Sequence, residues 1–261
     1  MPPNLPGHFI HSLPEVPGVY YFHNKLGKVI YVGKAKNIKK RVVSHFTGLD
    51  LSKKRQDFLR EIYEISYSEC PTEFIASLLE SIEIKRLWPA FNKSQKRYEQ
   101  LWAIYQFEDN RGYIRLAIDK KHKNAQAVQA FSLLADAHRE LWKLVREFEL
   151  HPALCFLDKT IPNEWPNTLI HNEQVKKALD YIASEKGSYI IKESNTAILI
   201  EKGKFVGMGP IDHLEMAEPS APAYMAAVKE AVTPYAENEV IKSMLRKYLE
   251  RYPHRVVRIA E

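Results

Sequence analysis

Gly18-Val19-Tyr20-Tyr21-Phe22-His23, then the turn Asn24-Lys25-Leu26-Gly27, then Lys28-Val29-Ile30-Tyr31-Val32-Gly33-Lys34-Ala35-Lys36-Asn37-Ile38-Lys39-Lys40-Arg41, is the stretch that decides the fold. Aromatic and β-branched residues on both sides of a short Asn- and Gly-bearing turn predict a hairpin, with strands over Val19 to His23 and Lys28 to Val32. Gly33 is expected to end the second strand. Asn37 is then placed to cap a helix from Ile38 to about Phe46, with Ile38, Val42, His45 and Phe46 on one side. Further along, Ser52 to Tyr63 fits a second helix, and Glu64 to Ser68 alternates like a third strand. Thr72 opens a periodic helix that Pro89 stops. The element order is ββααβα.

Within the third helix, Ile75, Leu78, Leu79, Ile82 and Arg86 form one stripe, and Glu80 points about 140° away from it, beside Ala76, Ile84 and Leu87. A carboxylate on a partly apolar face needs a cation, since burying an unpaired charge is costly. From the pattern alone that cation is either a partner side chain or a metal ion, and Glu83 is a neighbour nearer the flank. The hairpin offers a second cluster. Gly33 allows close backbone approach, and the eight residues after it carry five cations at a helix start, where free N–H groups favour phosphate.

The chain has 261 residues and a formal charge of +6. Residues 1–97 hold 16 Lys and Arg against 9 Asp and Glu, whereas the remainder holds 22 against 23, so the whole surplus lies in the first third. Such a block attracts polyanions. Neither a long apolar run nor a basic-then-apolar leader is present, which predicts a cytoplasmic, nucleoid-associated protein with no membrane partner. The two cysteines, Cys70 and Cys155, fit packed thiols.

Gly18-Val19-Tyr20 and Tyr31-Val32-Gly33 resemble the two signature tripeptides of the GIY-YIG nuclease superfamily, with Val in place of Ile in both. Lys34-Ala35-Lys36-Asn37, Arg41 and Ser44-His45-Phe46 are similar to the N-terminal nuclease of UvrC and its stand-alone relative Cho. Leu78-Leu79-Glu80, Ile84-Lys85 and Pro89-Ala90-Phe91-Asn92 complete that set in order. The resemblance covers residues 14–92. It implies that Glu80 binds one catalytic divalent cation, Mg or Mn, and that Tyr20 and Tyr31 lie in the site, Tyr31 orienting or deprotonating the attacking water. It further implies that Lys34 and Arg41 hold the scissile phosphate, and that Gly33, Asn37, His45 and Asn92 support the site. His45 departs from the family, which usually has tyrosine there. Lys36, Lys39, Lys40, Lys53, Lys54, Arg55, Lys93, Lys96 and Arg97 are the expected contacts to the DNA backbone, which position a strand without reading bases.

Beyond Asn92, strands are expected over Leu101 to Phe107 and Tyr113 to Ile118, and Ala125 to Glu149 reads as helical. Asn172 is expected to cap a helix to Ser184, and a three-stranded meander follows over residues 188–208. Residues 128–212 resemble the C-terminal part of Cho-like proteins more weakly, on core and turn positions. His122, His151, His171 and His213 read as structural or surface residues. The expected fold is α/β (α+β): a ββααβα GIY-YIG nuclease domain with a small antiparallel sheet over 1–97, a strand pair and long helix over 98–165, and a C-terminal α+β accessory region over 166–261. The function this implies is a metal-dependent, structure- or damage-directed DNA endonuclease making one kind of cut, in nucleotide excision repair or related processing, with DNA and other repair proteins as partners. The alternatives are a recombination junction or flap nuclease using the same site, and a non-catalytic DNA-binding scaffold.

Overall fold

The computed structural model describes residues 4–5, 9–47, 52–92, 101–122, 124–160, 163–184, 187–212 and 222–258. Its first unit runs β1 (Gly18–His23), β2 (Val29–Ala35), α1 (Ile38–Thr47), α2 (Lys53–Arg60), β3 (Glu64–Glu69) and α3 (Glu73–Leu87), the expected ββααβα order. The antiparallel sheet is ordered β2-β1-β3, so β2 is an edge. The turn is closed by Asn24, whose Oδ1 accepts the N–H groups of Leu26 and Lys28, with Gly27 at φ +73°. Asn37 caps α1 as expected, its Oδ1 accepting the Lys40 N–H at 2.8 Å. Ser52 and Thr72 cap α2 and α3 in the same way.

The central strand β1 is buried on both faces, which its unbroken apolar run requires. Tyr20 and Phe22 pack with Ile38, Val42 and Phe58 on the α1 and α2 side. Val19 and Tyr21 pack with Ile75, Leu78 and Ile82 of α3 on the other.

The middle of the chain contributes β4 (Trp102–Glu108), β5 (Ile114–Lys120), β6 (Gln129–Phe131), α4 (Leu134–Glu147) and α5 (Thr168–Ser184). Two expectations fail here for local reasons. The alanine-bearing stretch from Ala125 is not helical up to Leu133, because Gln129–Phe131 pairs with β4 and buries Phe131. The helix expected from Asn172 begins a turn earlier because Asn167 caps it, accepting the Leu169 and Ile170 N–H groups. Asn172 instead ties α5 to the β4–β5 turn, accepting from Ile114 N–H and donating to Gly112 O, both at 2.8 Å. Through Val175, Ala178 and Ile182, α5 packs with the middle core. His171 is buried against Ile114 O, and His213 lies outside the described residues.

The last unit has β7 (Tyr189–Glu193), β8 (Thr196–Glu201), β9 (Lys204–Pro210), α6 (Pro222–Ala231), β10 (Thr233–Pro234), α7 (Glu239–Arg251) and β11 (Val256–Arg258). Its sheet is ordered β10-β9-β8-β7-β11. The second apolar face of α3 finds its partner here: one core joins Ile84 and Ala76 with Ile198, Phe205, Ile241 and Leu245. Phe74 at the start of α3 stacks on Tyr248 of α7, with centroids 3.8 Å apart. A helix apolar nearly all round is buried on two sides, and each large side chain so buried contributes roughly 1.5–3 kcal/mol.

Candidate functional site

The outer edge of β2 builds the floor of a cleft. An edge strand presents unpaired N–H and C=O groups at every second residue, and here neighbours take four of them in turn. Phe91 N–H donates to Ile30 O at 2.9 Å. The Asn92 amide mimics a paired strand, accepting from Val32 N–H at 2.8 Å and donating to Val32 O at 2.7 Å. One step further, Lys34 N–H donates to Glu80 Oε1 at 3.1 Å. The backbone of β2 therefore fixes where the α3 carboxylate sits. Asn92 stands in the middle of that series, between Phe91 and Glu80.

The phenols form the wall. Tyr20 stands opposite Gly33 across the β1–β2 ladder, and a Cβ at residue 33 would lie 2.3 Å from the Tyr20 hydroxyl. Gly33 does not end the strand, which continues to Ala35; it makes room for the ring. Gly18 is needed for a similar reason, since a Cβ there would meet Ser68 O at 2.3 Å. The Tyr20 hydroxyl bonds His45 Nε2 at 2.7 Å, and the Tyr20 ring lies 6.1 Å from that of Tyr31. Burial holds the Tyr20 hydroxyl protonated far above its ordinary range. Burial also raises Tyr31, while the hydrogen bond from Tyr20 opposes that rise. His45, buried and facing the Arg55 and Arg41 guanidiniums, is lowered to about 4, so its imidazole is neutral at pH 7.

Tyr20, Tyr31, Lys34, Arg41 and Glu80 all line one open cleft of about 580 Å³, together with Gly33, Lys36, Asn37 and Lys40. Other cations lie elsewhere. Lys39 turns to Glu15 at 2.9 Å, Lys53 and Lys54 are exposed on α2, and Arg55 points inward to His45 O at 2.6 Å. Lys93, Lys96 and Arg97 lie outside the described residues.

Two cleft residues escape sequence reading. Glu73 accepts from Lys34 Nζ at 3.3 Å and pairs with Lys36 at 3.1 Å, and Ser77 Oγ accepts from Lys34 Nζ at 2.9 Å. The Lys36 and Lys34 ammoniums hold the Glu73 carboxyl below its usual range. Glu73, Ser77 and Glu80 are spaced by four and three, one face of α3, and that spacing was the available signal. Glu83, by contrast, is buried and clasped by Arg86 through two bonds of 2.9 and 2.7 Å. Among the described residues no three His, Cys, Asp or Glu side chains gather as a metal cluster; the cleft offers carboxylates singly. A Mg²⁺ ion keeps several waters and needs only one or two carboxylates, so Glu80 fits such an ion as one ligand among waters and phosphate oxygens.

The site joins a three-stranded sheet, a glycine-spaced tyrosine pair and a facing carboxylate. Residues 16–93, less than half of the chain, match the family model of the UvrC-like GIY-YIG domain. UvrABC system protein C of Flavobacterium psychrophilum is 46% identical over 83 residues, covering 32% of this chain and 14% of the relative. The same protein of Methanococcus maripaludis is 37% identical over 114 residues, 44% of this chain and 22% of that one. For Dichelobacter nodosus the figures are 32% over 152 residues, 57% and 24%. The chain thus spans less than a quarter of the length of these relatives. The crystal structure of the magnesium-bound GIY-YIG N-terminal endonuclease domain of UvrC from Thermotoga maritima is 36% identical, covers 32% of this chain and 90% of that one, and has a TM-score of 0.29. No helix among the described residues is long and apolar enough to cross a membrane.

Proposed function

We propose that this chain is a metal-dependent, structure- or damage-directed DNA endonuclease acting in nucleotide excision repair or related DNA processing. The observation that supports it most is the meeting of two phenols, a guanidinium and one carboxylate in a single open cleft. Hydrolysis of a phosphodiester needs an oriented water, donors for the charge that grows on phosphate, and stabilisation of the leaving 3′-oxygen. Arg41 is exposed at the rim and offers two parallel donors to phosphate oxygens. Tyr31 orients the water, accepting its hydrogen bond from Tyr20. Lys36 and Lys40 line the rim and would hold the strand by its backbone. Glu80 and waters would hold the divalent cation, Mg or Mn, which when bound supplies Lewis-acid stabilisation to the phosphate and the leaving oxygen. Retention of the carboxylate beside a phosphate path disfavours a binding-only scaffold, because without a metal it repels DNA. Repair proteins are the further partners this reading implies.

The test uses the full chain with Mg²⁺ or Mn²⁺ on nicked, bubble, flap and lesion-bearing duplexes, with an EDTA control. The expected result is metal-dependent nicking, strongest on lesion or bubble DNA. A preference for flaps or junctions would move the protein to recombination, and tight binding with no nick under any metal would make it a scaffold.

A further inference from the structure

Arg55 is a cation of α2 that the fold turns inward, and it meets the residue of the phenol cluster that departs from tyrosine, His45. Arg55 Nη2 lies 2.6 Å from His45 O and 3.5 Å from His45 Nδ1, with its guanidinium carbon 5.7 Å from the centre of the Phe58 ring. A guanidinium is always charged and only donates. A proton on His45 Nδ1 would set one N–H against another, so Nδ1 is the acceptor and Nε2 carries the hydrogen. Nε2–H then donates to the Tyr20 hydroxyl at 2.7 Å. An oxygen that accepts from Nε2–H turns its own O–H away from His45, and the neighbouring phenol is Tyr31, its ring centre 6.1 Å from that of Tyr20. The result is a chain in which every link donates in one direction, Arg55 to His45 to Tyr20 to Tyr31.

We infer that Arg55 fixes the tautomer of His45 and thereby directs the Tyr20 hydroxyl at Tyr31, making Arg55 and His45 positioning residues for the water-orienting phenol. The catalytic consequence rests on the nuclease reading above; the tautomer is a property of the protein alone. Tyr31 is faced by Tyr20 from β1, Glu80 from α3, Arg41 from α1 and Arg55 from α2, and His45 by Arg55 and Arg41. With the bond from Tyr20 aimed at its oxygen, Tyr31 is held as acceptor on the cluster side, and its own O–H is left for the cleft. Arg55 is in this respect unlike Lys53 and Lys54, its exposed neighbours on the same helix, which remain available for phosphate.

Nitrogen-15 NMR of the histidine-labelled full chain, without DNA or metal, decides the tautomer; the His45 signals are assigned by their loss in His45→Gln. The expected result is Nε2 protonated and Nδ1 bare in the wild type at pH 7, a mixed population in Arg55→Ala, and recovery of the wild-type pattern in Arg55→Lys, which restores a donor. In cleavage assays Arg55→Ala should lower kcat about tenfold with KM and the salt dependence of binding unchanged, and Arg55→Lys should restore most of the rate. A wild-type His45 protonated on Nδ1 overturns the inference whatever the enzyme cuts. So does an Arg55→Ala variant that keeps the Nε2–H tautomer, one whose tautomer shifts with kcat unchanged, or one whose salt slope falls by about one, the mark of a lost phosphate contact.

Discussion

On α3, Glu80 and Glu83 are less than one turn apart and neighbours on the helix surface, yet their surroundings treat them oppositely. Glu83 is buried and closed by Arg86. Glu80 stands at the wall of an open cleft, positioned by a backbone N–H from the strand edge. A carboxylate clasped by its own cation contributes to structure and has nothing to offer a ligand. Glu80, positioned by a backbone donor, stands beside phenols and a guanidinium where a ligand entering the cleft meets it. The difference comes from the immediate surroundings: Glu83 is buried beside its own cation, whereas Glu80 lines the cleft at the rim of a strand edge.

The largest expected break on the cleft side is Gly33→Ala. A methyl group 2.3 Å from the Tyr20 hydroxyl must displace that ring, costing about 1–3 kcal/mol in denaturant midpoints and, we expect, cleavage at least a hundredfold; normal cleavage would show that the Tyr20 position is irrelevant. Arg41→Lys keeps the charge and loses the two-pronged donor, so nicking should drop by roughly 10- to 100-fold, and an unchanged rate would reduce Arg41 to a counter-charge.

The pH response separates the regions next. His45 is lowered from 6.5 to about 4 by burial, Arg55 and Arg41. Between those values the unfolded chain takes up a proton that the folded chain refuses. Stability should therefore fall as pH drops through that window, by on the order of 3 kcal/mol, and be insensitive to this group above it. Thermal melts from pH 7 to 5 should show about 2 kcal/mol of that loss in the wild type and a smaller one in His45→Phe; equal slopes would mean that His45 titrates normally. The smallest effect is expected at Glu73→Gln, which releases Lys34 and Lys36 from an ion pair about 40% exposed. DNA binding should tighten two- to fivefold at low salt, and weaker binding would show that Glu73 orders those lysines for DNA.

Much of the cleft was legible because its positions are set by short-range chemistry. A turn of Asn and Gly, a cap at Asn37 and a periodic helix carrying Glu80 are local features, and they hold. What was not legible depends on residues far apart in the chain. Gly33 reads as a strand end, but it is mid-strand because Tyr20, thirteen positions earlier, lies across it. Arg55 reads as a surface cation, yet the carbonyl of His45 draws it inward. Gln129–Phe131 has helical neighbours and becomes an edge strand only because β4 has an open side. The second apolar face of α3 was visible, while its partner, over a hundred residues downstream, was not.

A side-by-side measurement of cleavage, DNA affinity and unfolding on Glu80→Gln and Glu83→Gln tests the central claim most directly. Glu80→Gln should abolish nicking, bind DNA as tightly as the wild type or more so, and melt normally. Glu83→Gln should cut at the wild-type rate and lose about 1–2 kcal/mol of stability. Normal cutting by Glu80→Gln, or loss of cutting by Glu83→Gln in protein that still folds, would contradict the roles assigned to the two carboxylates.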